Sequence, residues 1–201
     1  MPGEIFIISA PSGAGKSTLI RALLQGDPRL RFSISCTTRP PRPGETPGQD
    51  YFFVSSQVFR EMIAGNLLVE WVEQFGHFYG TSREWVESTL AADYDLVFDL
   101  EPRGARRLRS QFPEAVSIFI LPPDPEALEA RLSGRPGGLD AAELVVRLEQ
   151  GRRELEAAGW YDFLVINDEL PQALAHLQAI ITATRCRTAR LWPLLAPRYR
   201  L

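Results

Sequence analysis

Residues 10–18 read APSGAGKST. The pattern G-x-x-x-x-G-K-[ST], a phosphate-binding P-loop, maps onto residues 10–17, with Ala10 in place of the first glycine. Ala10 falls at the end of an apolar run, where a methyl group need not touch a ligand. Gly13 and Gly15 permit backbone conformations that aim N–H groups at an anion, and the start of a helix adds partial positive charge. Lys16 has the reach and charge to meet β and γ phosphates, and the Ser17 hydroxyl suits Mg²⁺. Ala10, Pro11, Ser12, Gly13, Ala14, Gly15, Lys16, Ser17 and Thr18 are therefore candidates for holding the phosphates of ATP. Lys16 is also the only lysine among 22 basic residues; the others are arginine. Codon bias explains the arginine excess but not the position of the exception. A glycine-rich turn without chemistry is the competing reading, and it leaves the agreement of motif and context unexplained.

A second anion site is suggested by residues 33–53, SISCTTRPPRPGETPGQDYFF. Arg39 and Arg42 flank Pro40 and Pro41, and Pro43 follows. Prolines fix φ and remove backbone donors, so this stretch is neither helix nor central strand. A stiff loop loses little entropy when it presents two guanidinium groups, the planar bidentate donors that phosphate favours. Tyr51 and Tyr79 carry phenol hydroxyls that can complete the cage. In an arbitrary loop, two solvated surface arginines would be the better reading; beside a P-loop they are not.

These groups need a scaffold. Residues 4–10 form an apolar, isoleucine-rich run read as a buried parallel strand, and 95–101, 115–123 and 162–168 read the same way. Helices are expected over 82–92, 103–111, 124–133, about 140–158 and 170–190, with Ser82 and Asp124 as N-caps and Pro125 in the first helical position. Strands alternating with helices predict an α/β fold with a parallel sheet covered on both faces. Residues 34 to about 81 break the rhythm: proline turns, YFFVS, a short helix near 57–65, then LLVEWVEQFGHFYGTS. This predicts a small, mostly β insertion. The glycines and proline of SGRPGGLD, 133–140, suggest a lid between two helices.

The 201 residues suffice for one sizeable core, and 45% hydrophobic with 23% charged residues is ordinary for a globular chain. A net charge of −3 argues against a general nucleic-acid binder. The opening residues lack a signal-peptide pattern, and no apolar run approaches a membrane span. Cys36 and Cys186 give no disulfide framework, so a cytoplasmic protein is expected. Two cysteines and two histidines also give no metal-ligand spacing.

The stretches SAPSGAGKSTL, SCTTRPPRPGE-x-x-G-x-DYFFV, LLVEWVEQFGHFYGTSRE, SIFILPP and VIND run in order from residue 9 to 168. In them the chain resembles the guanylate kinases, nucleoside monophosphate kinases with a P-loop. The resemblance implies a three-layer α/β/α core (about 1–33, 82–125 and 148–201), a GMP-binding insertion (34–81) and a helical lid (126–147). It implies transfer of the γ-phosphoryl group of MgATP to GMP, and to dGMP as well, in purine nucleotide metabolism. By position, Arg39, Arg42, Tyr51 and Tyr79 would cage the GMP phosphate. Ser35, Glu70, Gly80 and Thr81 would face guanine, Asp99 would hold Mg²⁺ with Ser17 or position ribose, and Asn167 would contact ATP. Arg131, Arg135 and Arg147 would be the lid arginines, joining Lys16, Arg39 and Arg42 in catalysis. A carboxylate at Glu70 suits guanine because it accepts from N1–H and the exocyclic amine, whereas adenine offers an acceptor at N1. The substrates would be the only partners, with no nucleic acid or membrane, and the protein a monomer or homo-oligomer.

The chain departs from the family after the third of these stretches, where DLEPRGA stands for the usual D-I-D-x-Q-G-A. Glu101 replaces an aspartate on the guanine side, and Arg103 replaces glutamine. Two other functions share parts of this pattern. A phosphopeptide-binding module would reuse the GMP pocket but has no use for Lys16 and Ser17. A kinase for phosphorylated sugars would keep the cage but needs no guanine reader.

Overall fold

The computed structural model describes residues 2–74, 76–134 and 141–199. Among them are nine strands and eight α-helices. Five strands form one sheet in the order β2 (Leu30–Phe32), β7 (Asp95–Asp99), β1 (Ile5–Ser9), β8 (Val116–Leu121), β9 (Phe163–Ile166). β2 runs parallel to β7, and β8 parallel to β9. All five residues of β1 are buried, as expected of a strand with both faces covered. The α/β class and the parallel sheet read from the sequence are present. β2 was not anticipated: three residues, LRF, carry too short a pattern, and it is the pairing of Leu30 with Asp95 and Phe32 with Val97 that makes them a strand.

The chain divides into two compact units, Met1–Ile7 with Pro28–Ala115, and Ile8–Asp27 with Val116–Leu201. In the first, a second sheet takes the order β4 (Phe52–Phe53), β3 (Cys36–Thr37), β6 (His77–Ser82), β5 (Leu68–Gln74). Helix α2 (Ser56–Ala64) packs its Phe59 against this sheet, stacked on Phe78 with ring centroids 5.3 Å apart. Cys36, Phe59 and Leu68 form the buried centre of this small core, with Met62, Trp71 and Phe78 around them. Helices α3 (Arg83–Ala91) and α4 (Pro102–Gln111) flank β7 in the chain, and the Ser82 hydroxyl caps α3 by accepting from Trp85 N–H.

The second unit begins with the turn from β1 into α1 (Lys16–Gly26), whose Leu19, Ile20 and Leu23 are buried. It continues through β8, α5 (Pro125–Ser133), α6 (Ala141–Glu156), β9 and α7 (Leu170–Arg185). Asp124 caps α5, with Pro125 at its start. The helix expected over 170–190 is two: α7 ends at Arg185 and α8 (Thr188–Leu195) starts after a break at Cys186 and Arg187. No helix of the described residues is long and apolar enough to cross a membrane.

Candidate active site

In the second unit, the turn after β1 places Gly15 at the N-terminus of α1 with φ 86°, the left-handed conformation in which glycine is at no disadvantage. No acidic residue occupies the first turn and no side chain caps it. The helix start therefore offers N–H groups and positive potential to an anion. Lys16 is half-buried at the first helical residue; Ser17 and Thr18 are exposed beside it. Pro11 and Ala14 are buried and Ala14 N–H donates to Pro11 O at 3.1 Å, which closes the loop on itself; Ala10 is buried at the end of β1.

Two of the arginines expected in a lid lie in the same unit. Arg147, on α6, donates from Nη1 to Ser12 Oγ in the loop at 3.4 Å. Arg131, at the end of α5, donates from Nη1 to Asn167 O at 2.9 Å and from Nη2 to Asp168 O at 3.5 Å. Arg135 lies outside the described residues. Asn167 is buried, and its side-chain amide donates to Ala14 O at 2.7 Å. Arg152 and Arg153 are exposed on α6, on its solvated side.

In the first unit, the loop after β3 holds Arg39 almost entirely out of solvent. Thr37 Oγ1 accepts from Arg39 N at 3.2 Å and donates to Phe78 O at 3.0 Å, which ties the loop to β6. The guanidinium is then held by Glu45: Nη2 donates to Oε1 at 2.7 Å and Nη1 to Oε2 at 3.0 Å, with Pro40 O taking a further Nη1 proton at 2.8 Å. The same Glu45 Oε2 accepts from the backbone N–H of Arg42 at 2.7 Å. The hydrogen bond from Arg39, then the one from Arg42, hold the Glu45 carboxyl below its ordinary range. The Glu45 hydrogen bond raises the Arg39 guanidinium above its usual value, and Tyr79 adds to this. The Arg39 guanidinium lies 5.4 Å from the centre of the Tyr51 ring, and Tyr51 meets Tyr79 edge-on at 6.1 Å. Arg39, Tyr51 and Tyr79 are thus together, while the Arg42 side chain is exposed at the rim. Glu45 was not singled out from sequence, although an acid three residues after the second arginine of RPPRPGE was a visible signal.

β5 and β6 pair Glu70 with Thr81. Glu70 is buried, its Oε1 accepts from Thr81 Oγ1 at 2.9 Å, and Ser35 Oγ lies 3.4 Å from Thr81 Oγ1. Burial pushes the Glu70 carboxyl up to about 7, against the opposing pull of the Thr81 bond and the Arg107 charge. Arg107, on α4, donates to Trp71 O and lies over the Trp71 ring at 5.1 Å. Gly80 sits where strands crowd: a Cβ there would fall 2.7 Å from Glu70 O and 2.8 Å from Trp71 Cβ. Only glycine lets β6 approach β5 closely enough to pair Thr81 with Glu70 in this way. Asp99 is half-buried at the end of β7, and the exposed Glu101 accepts from Gln74 Nε2 at 2.8 Å.

Chemically, the first unit groups a held guanidinium with two phenols and, in the strand pair that carries Tyr79, a buried carboxylate bonded to the Thr81 hydroxyl, which in turn meets Ser35. That set suits a phosphate joined to a planar base with N–H donors. Two variants test the cage. Arg39→Ala is expected to lower kcat/KM for a phosphorylated acceptor about 100-fold, by loss of a charged contact of about 3 kcal/mol, with KM for ATP unchanged. Glu45→Gln keeps the shape but loosens the guanidinium and should lower it about tenfold. Steady-state kinetics with each substrate varied measures both, and an Arg39→Ala protein with an unaltered acceptor KM would remove Arg39 from the cage.

The family described as Guanylate kinase matches residues 3–184. The chain is 45% identical over 185 residues to the guanylate kinase of Dechloromonas aromatica, covering 92% of this chain and 91% of that one. With the guanylate kinase of Symbiobacterium thermophilum it shares 43% identity over 194 residues, 94% and 89% of the two chains. The crystal structure of guanylate kinase from Anaplasma phagocytophilum superimposes with a TM-score of 0.78 at 28% identity, covering 100% of this chain and 97% of that one.

Proposed function

The chain belongs to the guanylate kinase family, and from that premise we propose how its residues divide the transfer of a phosphoryl group from ATP to GMP. Residues 10–18 cradle the ATP phosphates, with Lys16 on the β and γ groups. Arg39, Tyr51 and Tyr79, joined by Arg42, hold the GMP phosphate, and Glu70, Thr81 and Ser35 read guanine. The buried Glu70 carboxylate, on the strand paired with the one that carries Tyr79, is the observation that supports this assignment. A phosphate cage alone would accept many phosphorylated molecules; a buried carboxylate is useful only if the ligand brings N–H donors.

Phosphoryl transfer asks little covalent chemistry of a protein. Its residues must hold two anions in line and stabilise charge on the transferring group. Arg147, which meets Ser12 in the loop, and Arg131, held by the Asn167 and Asp168 carbonyls, supply cations to the ATP phosphates; Arg135 joins them in this reading. Closure of the lid and of the β insertion excludes the water that would otherwise consume ATP. Among the described residues no three His, Cys, Asp or Glu side chains cluster to hold an ion by themselves. Mg²⁺ needs no such cluster, because it binds through phosphates, waters and one or two protein oxygens. The exposed Ser17 hydroxyl is a hard oxygen donor of that kind, and the Asp99 carboxylate is another by its chemistry; Mg²⁺ held with the ATP phosphates would offset their charge. Positioning ribose is the alternative role for Asp99 in this reading. The protein acts in the cytoplasm on ATP, GMP and dGMP, with no nucleic-acid or membrane partner.

The test is an acceptor panel with ATP and Mg²⁺: GMP, dGMP, AMP, UMP and ribose phosphates, read by ADP release. GMP and dGMP are expected to be used and the others to be slower by about 100-fold or more. Comparable turnover of a ribose phosphate would favour the sugar-phosphate reading, and no turnover with any acceptor would favour a binding module.

A further inference from the structure

Asn167 follows β9 and is 6% exposed. Its Nδ2 donates to Ala14 O at 2.7 Å, and Ala14 is itself completely buried. That carbonyl belongs to the peptide joining Ala14 to Gly15. No described peptide bond is cis. In a trans peptide the C=O and the following N–H point in opposite directions. Fixing the Ala14 carbonyl on Asn167 therefore fixes the Gly15 N–H pointing away from it. Gly15 completes the device: a Cβ at this position would lie 2.4 Å from Asn167 Nδ2. The amide fills the volume that any side chain at residue 15 would need. The main chain of Asn167 is used as well, since its carbonyl accepts from Arg131 Nη1 at 2.9 Å.

We propose that Asn167 is a positioning residue for the triphosphate, holding the Ala14–Gly15 peptide so that the Gly15 N–H is preset as an anion donor, and that it acts on the phosphates of the nucleotide rather than on its base. The same residue aligns Arg131 through its carbonyl, so one buried side chain and its backbone register a loop donor and a helix cation together. Such presetting matters because a donor that need not reorient is worth more to a developing charge than one that must. The proposal rests on reading residues 10–18 as the phosphate loop.

Calorimetric titration with MgATP and with magnesium tripolyphosphate, which has no base, separates the alternatives. Asn167→Leu and Asn167→Ala both remove the donor without adding charge. Each is expected to weaken the two ligands by the same factor, roughly tenfold or more, while GMP binding stays at the wild-type value and reports that the protein is folded. Gly15→Ala, which leaves Asn167 in place but drives a methyl into its amide, should give the same parallel loss. Tripolyphosphate affinity kept at wild type while MgATP weakens would make Asn167 a base contact and overturn the proposal, as would wild-type affinity for both. Failure of the wild-type protein to bind tripolyphosphate at all would instead reject the phosphate-loop reading, and the proposal with it.

Discussion

Replacing Lys16 with alanine is expected to reduce phosphoryl transfer to GMP by about 100- to 1,000-fold while leaving the fold in place. The magnitude follows from what the ammonium group does. It is a single point charge at the mouth of a helix N-terminus, where loss of one cationic or oxyanion-type donor costs about 3–4 kcal/mol in the transition state. The fold should survive because Lys16 begins α1, half-buried, and alanine is at least as good a helix former there. The packing of α1 depends on Leu19, Ile20 and Leu23, which the change does not touch. Lys16→Arg is an informative companion. The chain supplies every other basic side chain as arginine. If charge alone were needed, arginine would restore turnover; a planar fork on a longer stem does not fit a loop shaped for a compact ammonium group. Both variants are therefore expected to be inactive in a coupled ADP-release assay and to melt close to the wild-type temperature. Near-normal turnover of Lys16→Ala would overturn the assignment of the loop.

How far the sequence carried this reading depends on the range over which each feature is encoded. The phosphate loop was legible because its signal is local: nine adjacent residues, a strand before and a helix after. The caps Ser82 and Asp124 and the buried strands were legible for the same reason. β2 was not, since Leu30–Phe32 become a strand only through pairing with residues 95–97. The break between α7 and α8 at Cys186 also escaped, because no proline or glycine marks it. The cage shows the limit within one loop. Arg39 and Arg42 stood out, but Glu45, which grips one by its side chain and the other by its backbone, emerged only from the geometry. Asn167 illustrates the longest range: the resemblance gave it a place at ATP, whereas its partner is a carbonyl 153 residues earlier in the chain.

The arginines are not equivalent, although composition treats them so. Arg39 is buried and held by an acid, whereas Arg153 is exposed and sits 4.0 Å from Glu149 one helical turn away. The second kind of pair contributes a few tenths of a kcal/mol at most. The first is worth more for what it orients than for its Coulomb energy. Glu45 and Pro40 take the protons at the end of the guanidinium, so its remaining edge is directed rather than free to wander. A loop that already carries its own carboxylate also keeps a buried cation neutralised while no phosphate is bound.

Glu70 provides the second large effect, and it has a pH signature. Its carboxyl is pushed up to about 7 by burial, so near neutral pH the ligand-free pocket holds it partly protonated. Guanine needs the ionised form, which accepts from N1–H and the exocyclic amine. KM for GMP is therefore expected to fall as pH rises from 6 to 8. Titration of the GMP phosphate near pH 6 overlaps this window, so the diagnostic is the difference from Glu70→Gln, which keeps the shape and removes the ionisation. In that variant the part of the profile centred near 7 should vanish. Its kcat/KM for GMP should drop by about 100-fold or more, since two charge-assisted hydrogen bonds of roughly 1.5–3 kcal/mol each are lost or reversed. Discrimination against AMP should narrow, because an amide can donate to adenine N1. Stability moves the opposite way from affinity. A carboxyl whose pKa is higher folded than unfolded stabilises the native state most below the unfolded value of about 4.5, and this contribution disappears as pH rises through about 7. The full difference is on the order of 3 kcal/mol. Glu70→Gln should therefore melt higher than wild type at pH 8, with the gap closing at pH 5. A Glu70→Gln enzyme that still separates GMP from AMP as well as the wild type, with the same pH profile, would take guanine recognition away from this carboxylate.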